Sequence, residues 1–371
     1  MTSTPLTQTR PEPSRPLIRA LQRQIEQLAN SIPGKDAHRT AAGWVYMTCI
    51  HAWAADHHLI DGRLNADAQP ARRQFLAQGG TDLAWLTYAV ADTAVHPCAW
   101  TLLDPAYDNP VRHASPSETA GSRLLHWWAE DAPTLAYPVE SGPGTITGWI
   151  LGDLLQLVTD ERRLAHALAQ SPWWLADGIL DRTLIPAAAE FRNETLRLID
   201  PTCGTGHFLI RAIDMLWELY TTGQLAPRQM HMDGVTGWTP IPPAAAARRI
   251  LAGVDGMELD PVTEAVCRLR VTVYLAHLLH EAGALPGPLR LDAIPHRPMP
   301  RISVGDSLLA GKVSRAEYAR LRPAQARIVN LGTDGGTDTP ADDGSGPGAE
   351  ADPVPVVLPQ GAEREQLALF S

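Results

Sequence analysis

Leu196-Arg197-Leu198-Ile199-Asp200-Pro201-Thr202-Cys203-Gly204-Thr205-Gly206-His207 decides how the second half of this chain is read. Its first four residues are a short apolar run of strand type, and from Phe208 to Tyr220 the apolar spacing turns helical. Strand, glycine turn and helix together form a geometry for nucleotide-like ligands. The glycines let backbone approach the ligand, and the helix start offers N–H groups with no partner inside the helix. Two common versions of this loop fail here. Leu209 stands where a dinucleotide fingerprint needs its third glycine, and no Gly-Lys-Ser/Thr follows as in a P-loop. Asp200-Pro201 before the glycines sets this loop apart, because a carboxylate at a strand's carboxyl end suits a cationic ligand such as a sulfonium or an amino group.

Downstream the pattern repeats. Residues 221–242 form a polar insertion with Pro and Gly, and Ala244–Leu251 reads as a short helix. Gly253–Leu259 is a second strand ending in Glu258-Leu259-Asp260-Pro261, followed by a long helix over Pro261–Ala282 with Pro in its first turn. Pro300–Gly305 is a third strand, followed by Asp306-Ser307. Strands alternating with helices predict a parallel, doubly wound α/β sheet. An acid after the second strand is placed to accept from ribose hydroxyls. An acid after the third could accept from an exocyclic amine. Three acids in this order fit S-adenosylmethionine: amino-acid part, ribose, adenine.

Upstream the chain reads as mainly helical over residues 16–148. Leu17, Leu21, Ile25, Leu28 and Ile32 recur at helical spacing, and further helices are expected over Ala41–Ala55 and Asp82–Asp92. Residues 103–147, rich in Pro, Gly, Ser and Asp, are expected to be irregular, with helix resuming over Trp149–Leu157 and Glu161–Ala169. His57-His58 has no second ligand pair at metal-site spacing, so no metal is expected. Residues 1–15 and the Gly/Pro/Asp-rich stretch 328–371 are expected to be disordered.

Composition narrows the classes. With 371 residues, 44 % of them apolar, the chain can bury a core, and it has no run of about 18 apolar residues that would span a membrane. The net charge of −10 is concentrated: Leu331–Ser371 holds eight acids and one arginine, so the body is nearly neutral and neither advertises nor excludes DNA binding. Four scattered cysteines with no Cys-x-x-Cys pair argue against a disulfide framework and for a reducing, cytoplasmic setting.

Asp200-Pro-Thr-Cys-Gly-Thr-Gly-His-Phe-Leu resembles motif I of the N6-adenine DNA methyltransferases. Met257–Pro261 resembles their motif II, and Gly305-Asp306-Ser307-Leu308-Leu309 their motif III. Gln170–Trp174 and Ile179–Leu184 resemble the segment preceding motif I. The stretch 149–310 is most similar to the large methylases of BREX and phage-growth-limitation defence systems, with weaker cover of 16–148. The resemblance implies a Rossmann-like methyltransferase core over 149–327. It implies S-adenosylmethionine held by Ser171, Pro172, Asp200, Pro201, Cys203, Gly204, Gly206, Glu258, Leu259 and Asp306. It gives Cys203 a structural role. Ser171-Pro172 reads equally as a plain helix start, and Asp306 alone as a loop cap.

The family's catalytic tetrapeptide, Asn/Asp/Ser-Pro-Pro-aromatic, follows motif III. There the polar side chain and the first Pro carbonyl accept from the amine of a flipped adenine, and the aromatic stacks on the base. No such tetrapeptide follows Asp306; Ile241-Pro242-Pro243-Ala244 and Ser171-Pro172-Trp173-Trp174 lie upstream and do not match it. Three readings stay open: one part of a split DNA methyltransferase completed by a second subunit, a non-catalytic cofactor-binding regulator or decoy, or a truncated methylase. Gln366-Leu367-Ala368-Leu369-Phe370 resembles the peptide that binds the bacterial sliding clamp, with Gln366, Leu367, Leu369 and Phe370 as contacts; docking back on the chain's own body is the competing reading.

Overall fold

The computed structural model describes residues 15–104, 109–132, 146–158, 171–296 and 298–309, together with 313, 314, 316, 317 and 320. The expected helix over 161–169, the acidic stretch 328–371 and the Gln366–Phe370 peptide lie outside the described residues.

Helix α1 (Arg15–Ala29) buries Leu17, Leu21, Ile25 and Leu28 on the face predicted from their spacing. It packs on α2 (Ala37–Asp56), which is buried nearly all round, from Thr40 to Ala54. A short α3 (Gln69–Ala77) precedes α4 (Asp82–Asp92), which Thr81 caps by accepting from the Ala84 N–H. The expectation of irregular chain over 103–147 is corrected in part. Ser117 caps α5 (Glu118–His126), and a π-helical turn continues it over Trp127–Asp131. Pro116-Ser117 is thus a helix start and not loop punctuation: its serine accepts from Ala120, and Glu118 accepts from the backbone N–H of Asp82 and Leu83 at the start of α4. Helix α6 (Trp149–Val158) closes this part of the core.

The remaining elements form the α/β part: α7 (Trp173–Glu190), β1 (Leu198–Asp200), α8 (His207–Thr222), α9 (Pro243–Gly253), β2 (Val254–Glu258), α10 (Pro261–Glu281) and β3 (Arg301–Val304). Asp260 caps α10, accepting from both the backbone N–H (2.9 Å) and the hydroxyl (2.6 Å) of Thr263. The strands are parallel in the order β1-β2-β3, with Ile199 opposite Asp255, and Asp255 opposite Arg301.

Among the described residues the sheet has one buried face and one more open face. Alternation puts Val254, Gly256, Glu258, Ile302 and Val304 on one face, where they are buried. Ile199, Asp255, Met257, Arg301 and Ser303 lie on the other, where every one is half-buried or exposed. The cause is topological. The chain steps from β1 to β2 to β3 in one direction, and right-handed crossovers that never reverse place all their helices on the same side.

Helix α10 belongs to two cores at once. Val262, Ala265, Val266, Leu269 and Val273 pack with the N-terminal helices, whereas Cys267, Val271, Tyr274 and Leu275 pack with α7, α8 and the sheet. No described helix is long and apolar enough to cross a membrane.

Candidate cofactor site

The three strand ends share one edge. Glu258, the last residue of β2, is buried and accepts from the Gly204 N–H at 2.9 Å through one carboxylate oxygen and from the Asp260 N–H at 3.0 Å through the other. Its backbone carbonyl accepts from Gly305, the residue after β3, at 2.8 Å. Cys203 donates its N–H to the Met257 carbonyl at 2.9 Å. The glycine turn and the exits of β2 and β3 are therefore tied together at the sheet's carboxyl edge, where open α/β sheets bind ligands.

Asp200 ends β1 and accepts from the Thr202 N–H at 3.2 Å within its own turn. Pro201 is exposed and Leu259 half-buried. Asp306 turns the chain after β3 by accepting from the Leu308 N–H at 3.0 Å, so the loop-cap role is present. Ser171 is exposed, and Pro172 starts α7 by accepting from Leu175 and Ala176 through its carbonyl. The plain helix-start role is thus filled by Pro172, with Ser171 one residue before the cap. Helix α7 is fixed to α8 by a two-pronged Asp177–Arg211 pair, 2.7 and 3.0 Å.

The glycines are required by shape. Gly204 and Gly206 adopt φ of +55° and +90°, and a Cβ on Gly206 would stand 2.7 Å from the Cys267 sulfur. Gly256 under the turn is also tight: a Cβ there would meet Leu209 at 2.9 Å and the Cys203 sulfur at 3.1 Å. The Cys203 thiol is held well above its ordinary pKa, first by its hydrogen bond with Cys267 and then by burial. A thiol so placed is packing and not a nucleophile.

Burial also raises the carboxyls of Asp200 and Glu258 above their ordinary values, against the hydrogen bonds that favour their charged forms. A cationic ligand would relieve that cost at Asp200. The Glu258 carboxylate keeps acceptor capacity beyond its backbone bonds, which suits a ribose hydroxyl. The residues present therefore fit S-adenosylmethionine: a left-handed glycine turn, a buried carboxylate that can accept from a hydroxyl and an acid raised by burial at the neighbouring strand end.

Three further residues shape the turn, and sequence reasoning missed them. Trp149, at the start of α6, stacks on His207, with centroids 3.9 Å apart and planes 22° from parallel. Gly152, one turn on, allows this approach, since a Cβ there would stand 2.3 Å from the Thr205 hydroxyl. Arg270 of α10 is fully buried and donates to the carbonyls of Thr147 (2.9 Å) and Thr205 and to the Thr205 hydroxyl (2.9 Å). Its guanidinium also lies over the Trp149 ring at 5.6 Å. The available signal was a pair of arginines, Arg268 and Arg270, alternating with apolar residues along this helix.

Over 291 aligned residues the chain is 29 % identical to a Streptomyces coelicolor protein described as adenine-specific methyltransferase PglX. The match takes in 73 % of this chain and 22 % of that protein, so the chain spans less than a quarter of its relative's length. No family model matches the chain, and no solved structure matches it.

Proposed function

We propose that the chain is the S-adenosylmethionine-binding component of a DNA adenine-N6 methyltransferase acting in restriction–modification or phage defence. The observation that carries this reading is the Glu258–Gly204 bond, which fixes a buried carboxylate against the glycine turn at the shared strand edge. The likeness to the Streptomyces methyltransferase supports the reaction class. When bound, the cofactor's sulfonium supplies an electrophilic methyl group. Asp200 holds the cationic amino-acid end, Glu258 accepts from the ribose hydroxyls, Asp306 lies at the adenine end, and Gly204 and Gly206 admit the ligand to the backbone. Ser171 and Pro172 close the methionine end.

Orientation of the target amine takes a polar-Pro-Pro-aromatic segment, which in this reading a second subunit supplies. Titration calorimetry of the full chain with S-adenosylmethionine is expected to show binding. Glu258→Ala should weaken it by about 1.5–3 kcal/mol, the worth of hydrogen bonds to a charged group, or about ten- to a hundred-fold. Absence of heat with folded protein would overturn the reading. Labelled methyl is expected not to enter DNA with this chain alone. The terminal Gln366–Phe370 peptide is proposed to tether the chain to the sliding clamp; equal clamp pull-down by the full chain and by Leu369→Ala/Phe370→Ala would exclude it.

A further inference from the structure

Helix α1 carries a row of like charges that the fold does not use. Arg15, Arg19 and Arg23 stand four residues apart, and all three are exposed. Neighbours of one sign at this spacing destabilise a helix, whereas alternating signs support it. The one acid of α1 is Glu26, and none of the three arginines has an ion-pair partner among the described residues. On a chain of net charge −10, this cationic row has no account inside the body.

The row leads somewhere. Rows of every fourth residue slant across a helix surface. The next member, Gln27, lines an open cleft of about 420 Å³ between α1, α3 and α5. Gln24 lines it too, is only 7 % exposed, and forms no side-chain hydrogen bond among the described residues. A buried amide without a partner is costly unless the contents of the cleft satisfy it. Helix α5 contributes Ser122 and Arg123, and Arg123 also lacks an ion-pair partner among the described residues. Arg72 of α3 is already paired with Asp82 at 2.7 Å. Asp131, the one acid in the lining, has a polar partner of its own.

We infer that the row Arg15-Arg19-Arg23 and the cleft at Arg123 form one track for the phosphate backbone of duplex DNA. Four residues of helix rise about 6 Å, so the row suits a ligand whose negative charges repeat along a line, and Arg15 to Gln27 spans about 18 Å. Each guanidinium fork can grip two phosphate oxygens at once. In the cleft the Gln24 amide and the Ser122 hydroxyl add donors beside Arg123. Contacts of this kind fix position on the duplex and read no sequence. The inference deepens the functional reading, on which the choice of DNA among polyanions rests.

The test is fluorescence anisotropy of short labelled duplexes with the full chain over a salt series, with S-adenosylmethionine calorimetry on the same samples. Arg19→Gln/Arg23→Gln is expected to bind at least tenfold more weakly at low salt, and to reduce the slope of log K against log salt by about two. Arg123→Gln should reduce it by about one. These losses should be equal on duplexes of different sequence. Arg248→Gln, at an exposed position on α9, should match the parent chain. No duplex binding by the parent chain, an unchanged affinity and slope in Arg19→Gln/Arg23→Gln, or an equal loss in Arg248→Gln would each overturn the inference. So would displacement of the duplex by poly-glutamate at the same charge concentration, which would assign the row to an acidic polypeptide. Duplex binding indifferent to these arginines with cofactor binding intact sinks only the track, whereas arginine-dependent duplex binding without cofactor binding sinks only the functional reading.

Discussion

Arg270 and Thr205 are joined twice, because one guanidinium nitrogen donates both to the Thr205 carbonyl and to its hydroxyl. The bond crosses from α10 to the middle of the glycine turn. It fixes the residue between Gly204 and Gly206 from behind while Glu258 fixes Gly204 from the front. Arg270→Met should cost about 2–3 kcal/mol of stability, the loss of charge-assisted bonds to buried acceptors. It should also weaken S-adenosylmethionine binding by roughly tenfold, with Arg270→Lys intermediate because it keeps the charge and loses the fork. Urea denaturation beside calorimetry separates the two effects; unchanged cofactor affinity in folded Arg270→Met would remove the turn-positioning role.

Gly206 offers a test with an internal control. Gly206→Ala forces a Cβ into left-handed backbone, at roughly 1–2 kcal/mol, and into the Cys267 sulfur, at roughly 1–3 kcal/mol. Cys267→Ala removes the sulfur. In that background Gly206→Ala should cost only the backbone part, so the double-mutant cycle shows a coupling of about 1–3 kcal/mol, the steric part. Additive losses would mean that the sulfur does not set the packing of the turn.

If Glu258 holds the cofactor as proposed, cofactor affinity and the stability of the free protein should respond to acid in opposite senses. Burial raises its carboxyl above the ordinary 4.5, so the folded chain favours the protonated form and gains stability as pH falls through that raised value. Ribose hydroxyls donate to the ionised form, so binding weakens over the same range. Affinity is expected to fall on acidification before pH 4.5 is reached. Glu258→Gln should bind weakly with a shallower slope, the remainder belonging to Asp200, whose carboxyl burial also raises. Calorimetric titrations across pH 5–8 read this directly, and an identical slope in Glu258→Gln would assign it to another group.

His51 sets a separate acid sensitivity in the N-terminal helices. It is fully buried, and its Nε2 accepts from the Arg63 N–H at 3.0 Å, so the imidazole is held neutral. Burial is the main cause of its pKa falling from 6.5 to about 4. A base with a depressed folded-state value contributes stability that is complete above 6.5 and is lost as pH falls towards 4. At pH 5 the loss from this group is about 2 kcal/mol. The difference in unfolding free energy between pH 7.5 and pH 5 should shrink by that amount in His51→Gln, whose amide oxygen can still accept from Arg63. No change in that difference would show that the ring is protonated without cost.

The strands and their acids were legible because local chemistry marks them. Asp200-Pro201 and Glu258-Leu259-Asp260-Pro261 punctuate apolar runs, and Pro261 announces α10 at the residue where it begins. Asp82–Asp92 was legible for the same reason, with Thr81 as its cap. The helix from Glu118 was hidden by composition: its cap residues, Pro116 and Ser117, read equally as loop residues until the partner backbone of α4 is in view. Trp149, Gly152 and Arg270 were not legible as a group. They meet Thr205 and His207 across more than fifty residues of chain, and nothing local to any of them records that meeting. Which face the described helices cover was not legible, because alternation of strands and helices fixes parallel pairing but not the direction in which successive crossovers step.

Helix α10 is a party wall. One of its sides belongs to the N-terminal helices and the other to the α/β core, with Leu269 and Arg270 facing different neighbours one residue apart. A cut between residues 148 and 149 would strip a finished surface from both halves and yield no free-standing room on either side. Heat should therefore melt the described body in a single calorimetric transition, and a ligand seated at Glu258 should raise the melting point of the distant bundle of α1 and α2 as much as that of its own surroundings.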